Sequence, residues 1–277
     1  MPWVTLDLDG TLAEWPFGAA VMNRWKPYFS SPEAGAAVRA EYLRRMAGDH
    51  PADAYDWEAI HELARVNLNL GEVPSIGDLL ADAVYPESLV YDDTRPALQA
   101  IRDTGWRVAI ATNGFSRHQR PPLEAFGFKY EALLTPDLTG FVKPQAEFLR
   151  CLPGSSGDAT ALANAAHIGD SLAQDVLAAN RAGVTAAWVW RDMPQEVRAL
   201  RPSERLTSPS AQEAIRAAYA AELERDGRMG RFYEGAPPRP DIIAKDLLEV
   251  VTELNARRAA NTPARSDDVA AEDAADD

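Results

Sequence analysis

One cysteine, four histidines and no long apolar run are what this chain has least of. The single cysteine, Cys151, excludes an internal disulfide and any cysteine-rich zinc site. The histidines are scattered, and HELAR, beginning at His61, lacks the second histidine of a zinc motif. No apolar stretch approaches the roughly 18 residues of a membrane-spanning helix. Positive charge is scarce too: 28 Lys+Arg against 42 Asp+Glu leave a formal net charge of -14. With no basic stripe to offset it, that balance argues against a protein held to nucleic acid by phosphate contacts. The opening MPWVTLDLDG has neither a basic n-region nor a long apolar segment, so no secretory signal is expected. These absences leave a soluble cytoplasmic protein without nucleic-acid or membrane partners as the expectation, either monomer or homodimer.

What is present is material for a sizeable core. The chain has 277 residues and is 46% hydrophobic, enough for one large domain or two smaller ones. Residues 3–8 read as a short strand. Stretches around 19–29, 33–47, 56–70 and 75–84 have helical length and apolar spacing, punctuated by Pro and Gly. They predict a compact helical insertion over 13–90. Trp15, Phe17, Trp25, Tyr28 and Phe29 read as its packing core rather than a substrate cage. From Arg95 onward strand and helix alternate: a helix to Thr104, a strand at 106–111, a helix through RPPLEAFGF, then the short apolar segment YEALLTP. KPQAEFLRCL (helix), AAHIGD (strand), AQDVLAANRAG (helix) and TAAWVW (strand) continue it. This rhythm predicts an α/β fold, a Rossmann-like parallel sheet with helices on both faces. Residues 194–238 break it with an extra helix at 210–226, after which a last strand and a closing helix are expected. From Ala259 the chain is acidic and poor in large apolar residues, which predicts a disordered tail over 259–277.

Ligands of parallel α/β sheets collect beyond the carboxyl ends of the strands. The first predicted strand ends in Asp7-Leu8-Asp9-Gly10-Thr11, the second in Thr112-Asn113-Gly114, and a later one in Asp170 with Asp175 beyond. Lys143 opens GFVKPQAEF's predicted helix. Asp7, Asp9, Asp170 and Asp175 crowded together would raise one another's pKa unless a cation intervened, and carboxylates with phosphate oxygens suit Mg2+. A metal, a lysine and the neutral donors of Thr112 and Asn113 make a site for a phosphoryl group. One aspartate of the first pair can attack phosphorus, and the other can protonate the leaving oxygen. Residues i and i+2 of a strand face the same side, which accounts for the spacing. Taken singly, each feature has a plainer reading: a solvated turn for Asp7 and Asp9, a cap or turn for Asn113, an N-cap for Asp170.

DLDGT, ATNG, VKP and IGDSLAQD, in this order, resemble the four motifs of the haloacid dehalogenase (HAD) superfamily of phosphohydrolases. The resemblance covers residues 3 to about 190 and implies a core of 1–12 and 91–258 with a C1-type helical cap at 13–90. It implies Asp7 as nucleophile, Asp9 as general acid/base and Lys143 as the group joining nucleophile and phosphate. Thr112 and Asn113 would bind substrate, and Asp7, Asp9 (through its backbone carbonyl), Asp170 and Asp175 would hold Mg2+. TNGFSRHQ also resembles the T-N-G-x-x-x-x-Q pattern, with Gln119 as its glutamine, and suggests a nucleoside monophosphate or sugar phosphate as the small phosphorylated metabolite. Arg24 and Arg44 enter as candidate substrate contacts. Two other readings share the scaffold. One is a haloacid dehalogenase, disfavoured by Asp9 because that branch usually carries an aromatic residue there. The other is a catalytically silent phosphate-binding or interaction protein.

Overall fold

Alternation of side chains along short apolar strands builds a sheet buried on both faces. The computed structural model describes residues 1–154, 162, 164–226 and 232–261. Six strands, β1 (Trp3–Leu6), β2 (Arg107–Ala111), β3 (Ala132–Leu134), β4 (Ala166–Gly169), β5 (Thr185–Val189) and β6 (Ile242–Ala244), lie in the order β3-β2-β1-β4-β5-β6. Every pairing is parallel. Val4, Leu6, Val108, Ile110, Ile168 and Val189 point to one side, against the helices Thr94–Asp103 and Leu247–Asn261. Trp3, Ala109, Ala111, Ala186 and Trp188 point to the other, against Phe148, Leu172, Val176 and Ile215. The predicted α/β fold with helices on both faces is the fold observed. Among the described residues, no helix is long and apolar enough to cross a membrane.

Register decides where chemistry can gather. Leu6 pairs with Ile110 on one side and Ile168 on the other, so Asp7, Thr112 and Asp170 all leave the sheet at one edge. The strand order reverses direction beside β1, which opens the crevice there.

Helices between β1 and β2 start where their caps say they should. The Ser31 hydroxyl accepts from the Ala34 N–H at 3.1 Å before Pro32–Ala47, and the Asp56 carboxylate accepts from Ala59 at 3.2 Å before Trp57–Asn67. Ser75 and Asp78 form a reciprocal capping box at the start of Ile76–Ala81. The predicted helix at 19–29 is instead a π-helical turn, Gly18–Met22, followed by Asn23–Trp25. Where this segment begins and ends, its two strands of chain run side by side: Ala13 bridges Val90, and the Glu14 N–H donates to the Leu89 carbonyl at 2.7 Å.

Three further local expectations need correction. Lys143 does not open a helix; only Ala146–Arg150 is helical. The Lys143 N–H donates to the Asn113 side-chain oxygen at 2.8 Å, and the Val142 N–H to that of Gln145 at 2.9 Å, so side chains hold this stretch as a turn. The last helix runs to Asn261, past the expected tail boundary at 259, while 262–277 lie outside the described residues. Finally, Trp15 is 51% and Tyr28 45% exposed rather than part of a core, whereas Phe17 and Trp25 are buried as expected. Trp15 has a φ of 37°, in the left-handed region.

After β5, the segment with helices Gln195–Arg198, Pro202–Arg205 and Pro209–Asp226 is anchored by one buried cation. Arg205, 2% exposed, donates to the carbonyls of Val197, Arg198 and Ile243 and pairs with Glu249 at 2.7 Å. Every face of the guanidinium is thus used, which is what makes burying it tolerable.

Candidate active site

Asp7 follows directly on β1, and its N–H continues the ladder to the Ile168 carbonyl at 2.9 Å. Lys143, 1% exposed, reaches it from the turn after β3: its Nζ lies 2.7 Å from Asp7 Oδ1 and 2.6 Å from Asp175 Oδ1. Asp175 also accepts from His167 Nε2 at 3.0 Å and, through Oδ2, from the Ser171 N–H at 3.0 Å. His167 pairs with Thr5 across β1 and β4, and its Nδ1 lies 2.7 Å from the Thr5 hydroxyl. The same hydroxyl donates to the Ala166 carbonyl at 3.2 Å. A buried line of contacts, Thr5–His167–Asp175–Lys143–Asp7, therefore fixes the lysine beneath the first aspartate.

Charge is unbalanced around that line. Burial pushes the Asp7 carboxyl up, with Lys143 opposing and Asp175 adding to the rise. Asp9 is pushed up to about 7 by burial and by Asp7. Asp170 is raised well above the usual carboxylate range by burial, then Asp175 and Asp7. Burial acts on Asp175 too, but Lys143 and then His167 hold it below that range. Oxygens of Asp7, Asp170 and Asp175 lie within 4.8 Å of one another, a set that fits a hard divalent cation. Gly10 makes the set possible. It sits at φ 85°, and a Cβ there would fall 2.3 Å from Asp170 Oδ2. Among the described residues, the Asp170 carboxylate accepts only a long bond, 3.3 Å, from the Thr11 hydroxyl, which leaves it open toward a cation.

Asp9 Oδ2 accepts from Gln119 Nε2 at 3.2 Å, while Oδ1 is buried without a hydrogen-bond partner among the described residues. Thr112 and Asn113 are both buried at the end of β2. The Asn113 carboxamide is occupied by protein: Nδ2 lies 3.0 Å from the Tyr55 hydroxyl, 3.0 Å from Gln174 Oε1 and 3.2 Å from the Lys143 carbonyl. It ties three segments together. These groups line a cavity of about 480 Å3 that includes Asp7, Asp9, Thr112, Asn113, Asp170 and Asp175. Arg24 and Arg44 are elsewhere, the first donating to the Leu79 carbonyl and the second paired with Glu41.

Glu222, on the helix Pro209–Asp226, has no counterpart among the sequence motifs. Its buried carboxylate accepts from the Ser171 hydroxyl, from the Leu172 N–H at 2.9 Å and from the Ala173 N–H at 3.3 Å. It thereby caps the π-helical turn Leu172–Val176 that follows Asp170. The only signal for it is an acid in an amphipathic helix 50 residues away. Glu222→Ala is expected to lower stability by about 1–3 kcal/mol, because buried N–H groups lose this acceptor. Urea denaturation checks this, and Glu222→Gln should recover part of the loss.

With the geometry in place, comparison with known proteins is decisive for family. The sequence model described as haloacid dehalogenase-like hydrolase matches residues 1–183. The chain belongs to that family. A ribulose-1,5-bisphosphate 5-phosphatase of Halopiger xanaduensis is 29% identical over 197 residues, 65% of this chain and 81% of the relative. A phosphoglycolate phosphatase of Haemophilus influenzae is 28% identical over 188 residues, with the same coverage of 65% and 81%. Among solved structures, the HAD phosphatase from Thermococcus onnurineus superposes with a TM-score of 0.58 at 24% identity, covering 92% of this chain and 98% of that one. An L-2-haloacid dehalogenase from Xanthobacter autotrophicus gives 0.56 at 18%, covering 92% and 99%. This HAD-like hydrolase thus shares its fold with both phosphatases and dehalogenases, and the fold leaves the reaction open between them.

Proposed function

We propose that the protein is a Mg2+-dependent phosphatase that hydrolyses a small phosphomonoester, of the nucleoside monophosphate or sugar phosphate class, through an aspartyl-phosphate. The observation that carries this reading is Asp9, a carboxyl pushed up to about 7 two residues after Asp7. At neutral pH it is poised to give a proton to a leaving oxygen. Displacement of halide from carbon needs no such donor. The relatives named as phosphatases support the same class.

In this mechanism Lys143 holds Asp7 Oδ1, which leaves Oδ2 as the attacking atom. As the Asp7–phosphorus bond forms, the bond from phosphorus to the ester oxygen breaks, and that oxygen takes the proton of Asp9. The Asp9 carboxylate then takes a proton from a water molecule, whose oxygen attacks phosphorus and releases Asp7 and inorganic phosphate. Thr112 contacts the phosphoryl group, and Asn113 serves chiefly by holding the turn at Lys143. Asp7, Asp170 and the backbone carbonyl of Asp9 would hold Mg2+, with Asp175 supporting from behind because its oxygens already accept from Lys143, His167 and Ser171. Bound there, Mg2+ supplies charge neutralisation for the carboxylates and the phosphoryl oxygens. Residues 13–90 act as the cap over a core of 1–12 and 91–258, and the paired chain at Ala13 and Val90 is its hinge.

Phosphate release from a panel of phosphomonoesters, with Mg2+ and with chelator, tests the reading. Metal-dependent release is expected; none from any ester, with folded protein, would overturn it and direct attention to halide release. The role of Asp9 has its own signature. Because its pKa is raised, the acid form persists to neutrality and is lost as pH rises through about 7. Single-turnover phosphoryl transfer should therefore decline above that pH for esters with poor leaving groups. In Asp9→Asn that alkaline decline should disappear, and the rate should drop by about 10^2–10^4.

A further inference from the structure

We propose that Trp15 is a specificity-determining residue, and that the alcohol leaving this site carries an uncharged planar ring, the chemistry of a nucleoside monophosphate. The inference rests on the phosphatase reading and narrows it.

Trp15 is a large aromatic side chain left 51% exposed on the wall of the cavity that holds Asp7 and Asp9. Its φ of 37° is a left-handed conformation that bulky side chains rarely adopt. Such strain persists where the surroundings impose it, and it clusters at ligand-binding positions. Gly18 accommodates the ring: a Cβ there would fall 2.0 Å from indole Cδ2, so the indole occupies the space a side chain at 18 would need. The ring thus stands between the cavity, which Phe17 also lines, and the aromatic cluster around Trp25.

Other aromatic residues line the same cavity in fixed orientations. Trp190 stacks on Trp188 with centroids 4.4 Å apart, and Trp57 stacks on Tyr42 at 5.5 Å. The volume of about 480 Å3 lies in the range that encloses a drug-sized ligand. Arg191, the one cation lining the cavity among the described residues, is committed. Its guanidinium carbon lies 3.6 Å over Tyr91, and it donates to the Gly10 carbonyl at 3.2 Å, the Thr11 carbonyl and Asp93. Asp192 and Glu222 add negative charge to the wall. A second phosphate or a carboxylate on the substrate would meet repulsion there, whereas an uncharged ring would meet aromatic faces.

The test compares nucleoside 5′-monophosphates, a hexose 6-phosphate, phosphoglycolate and ribulose 1,5-bisphosphate as substrates in Mg2+. It uses the wild type, Trp15→Ala, Trp15→Phe and Trp15→Gly, the last because glycine accepts the left-handed backbone freely. The wild type should favour nucleoside monophosphates over phosphoglycolate by tenfold or more in kcat/KM. Trp15→Ala and Trp15→Gly should each reduce that ratio about tenfold, mainly through KM, and Trp15→Phe should retain most of it. A preference for phosphoglycolate or the bisphosphate would overturn the inference while the phosphatase stands. So would Trp15 variants that lower kcat for every ester alike, as a structural residue would. Calorimetric binding of a nucleoside monophosphate to Asp7→Asn separates the remaining case. Binding that Trp15→Ala weakens about tenfold, without turnover of any ester by the wild type, would uphold the ligand class and overturn the phosphatase. No binding and no turnover would overturn both.

Discussion

Asp7→Asn is expected to abolish phosphate release, with a loss on the order of 10^4–10^6 in kcat, the scale seen when a covalent nucleophile is removed. The amide has nearly the shape of the carboxylate but cannot form the acyl phosphate. Its oxygen can still accept from Lys143, and the pair between Lys143 and Asp175, 2.6 Å apart, is untouched. One buried carboxylate charge disappears from a crowded group, which relieves Asp170, whose pKa Asp7 helps to raise. Stability should therefore change by no more than about 1 kcal/mol, within the range of a tolerated substitution. Kinetics and a urea melt on the same preparation check both halves. Turnover within tenfold of wild type would remove Asp7 from the nucleophile's role.

Lys143→Met should damage both catalysis and folding. The lysine is a fully buried cation between two carboxylates, and both lose their main attraction without it. Breaking a buried ion pair by removing one partner costs about 3–5 kcal/mol, because the remaining charge is left uncompensated. The pH dependence follows from Asp175. Its folded pKa is held below the ordinary value, so it contributes stability above its unfolded pKa of 3.8 that fades as pH falls. Without Lys143 that contribution goes, so the stability difference between variant and wild type should be large at neutral pH and shrink only as pH falls below about 4. Denaturation at several pH values measures it. Lys143→Arg should not rescue, since a planar fork cannot occupy the point where Nζ meets both carboxylates.

Asp7, Asp9, Thr112 and Asp170 could be singled out because each follows an apolar run short enough to be a strand, and parallel strands deliver their carboxyl ends to one edge. The helices over 33–47, 56–70 and 75–84 were placed for a similar reason, by apolar spacing and flanking Pro and Gly. The caps at Ser31, Asp56 and Ser75 that set their starts act only three residues along. The turn at Lys143 was not placed, because its form depends on Asn113, 30 residues earlier in the chain. Trp15 was misplaced for a related reason. Aromatic spacing says that a side chain is apolar, not whether a glycine three residues on has reserved its place.

By itself, then, the sequence determined the α/β order of elements, the acidic strand ends and the family to which they belong. These are properties of neighbouring residues and of a repeating period. Only the tertiary structure decided that Thr5 and His167 back Asp175, that Arg191 is committed to the carbonyls of Gly10 and Thr11, and that Glu222 caps the turn after Asp170. Those contacts join residues between 8 and 181 positions apart, and their partners are selected by sheet register and by the burial of charge, neither of which any local pattern encodes.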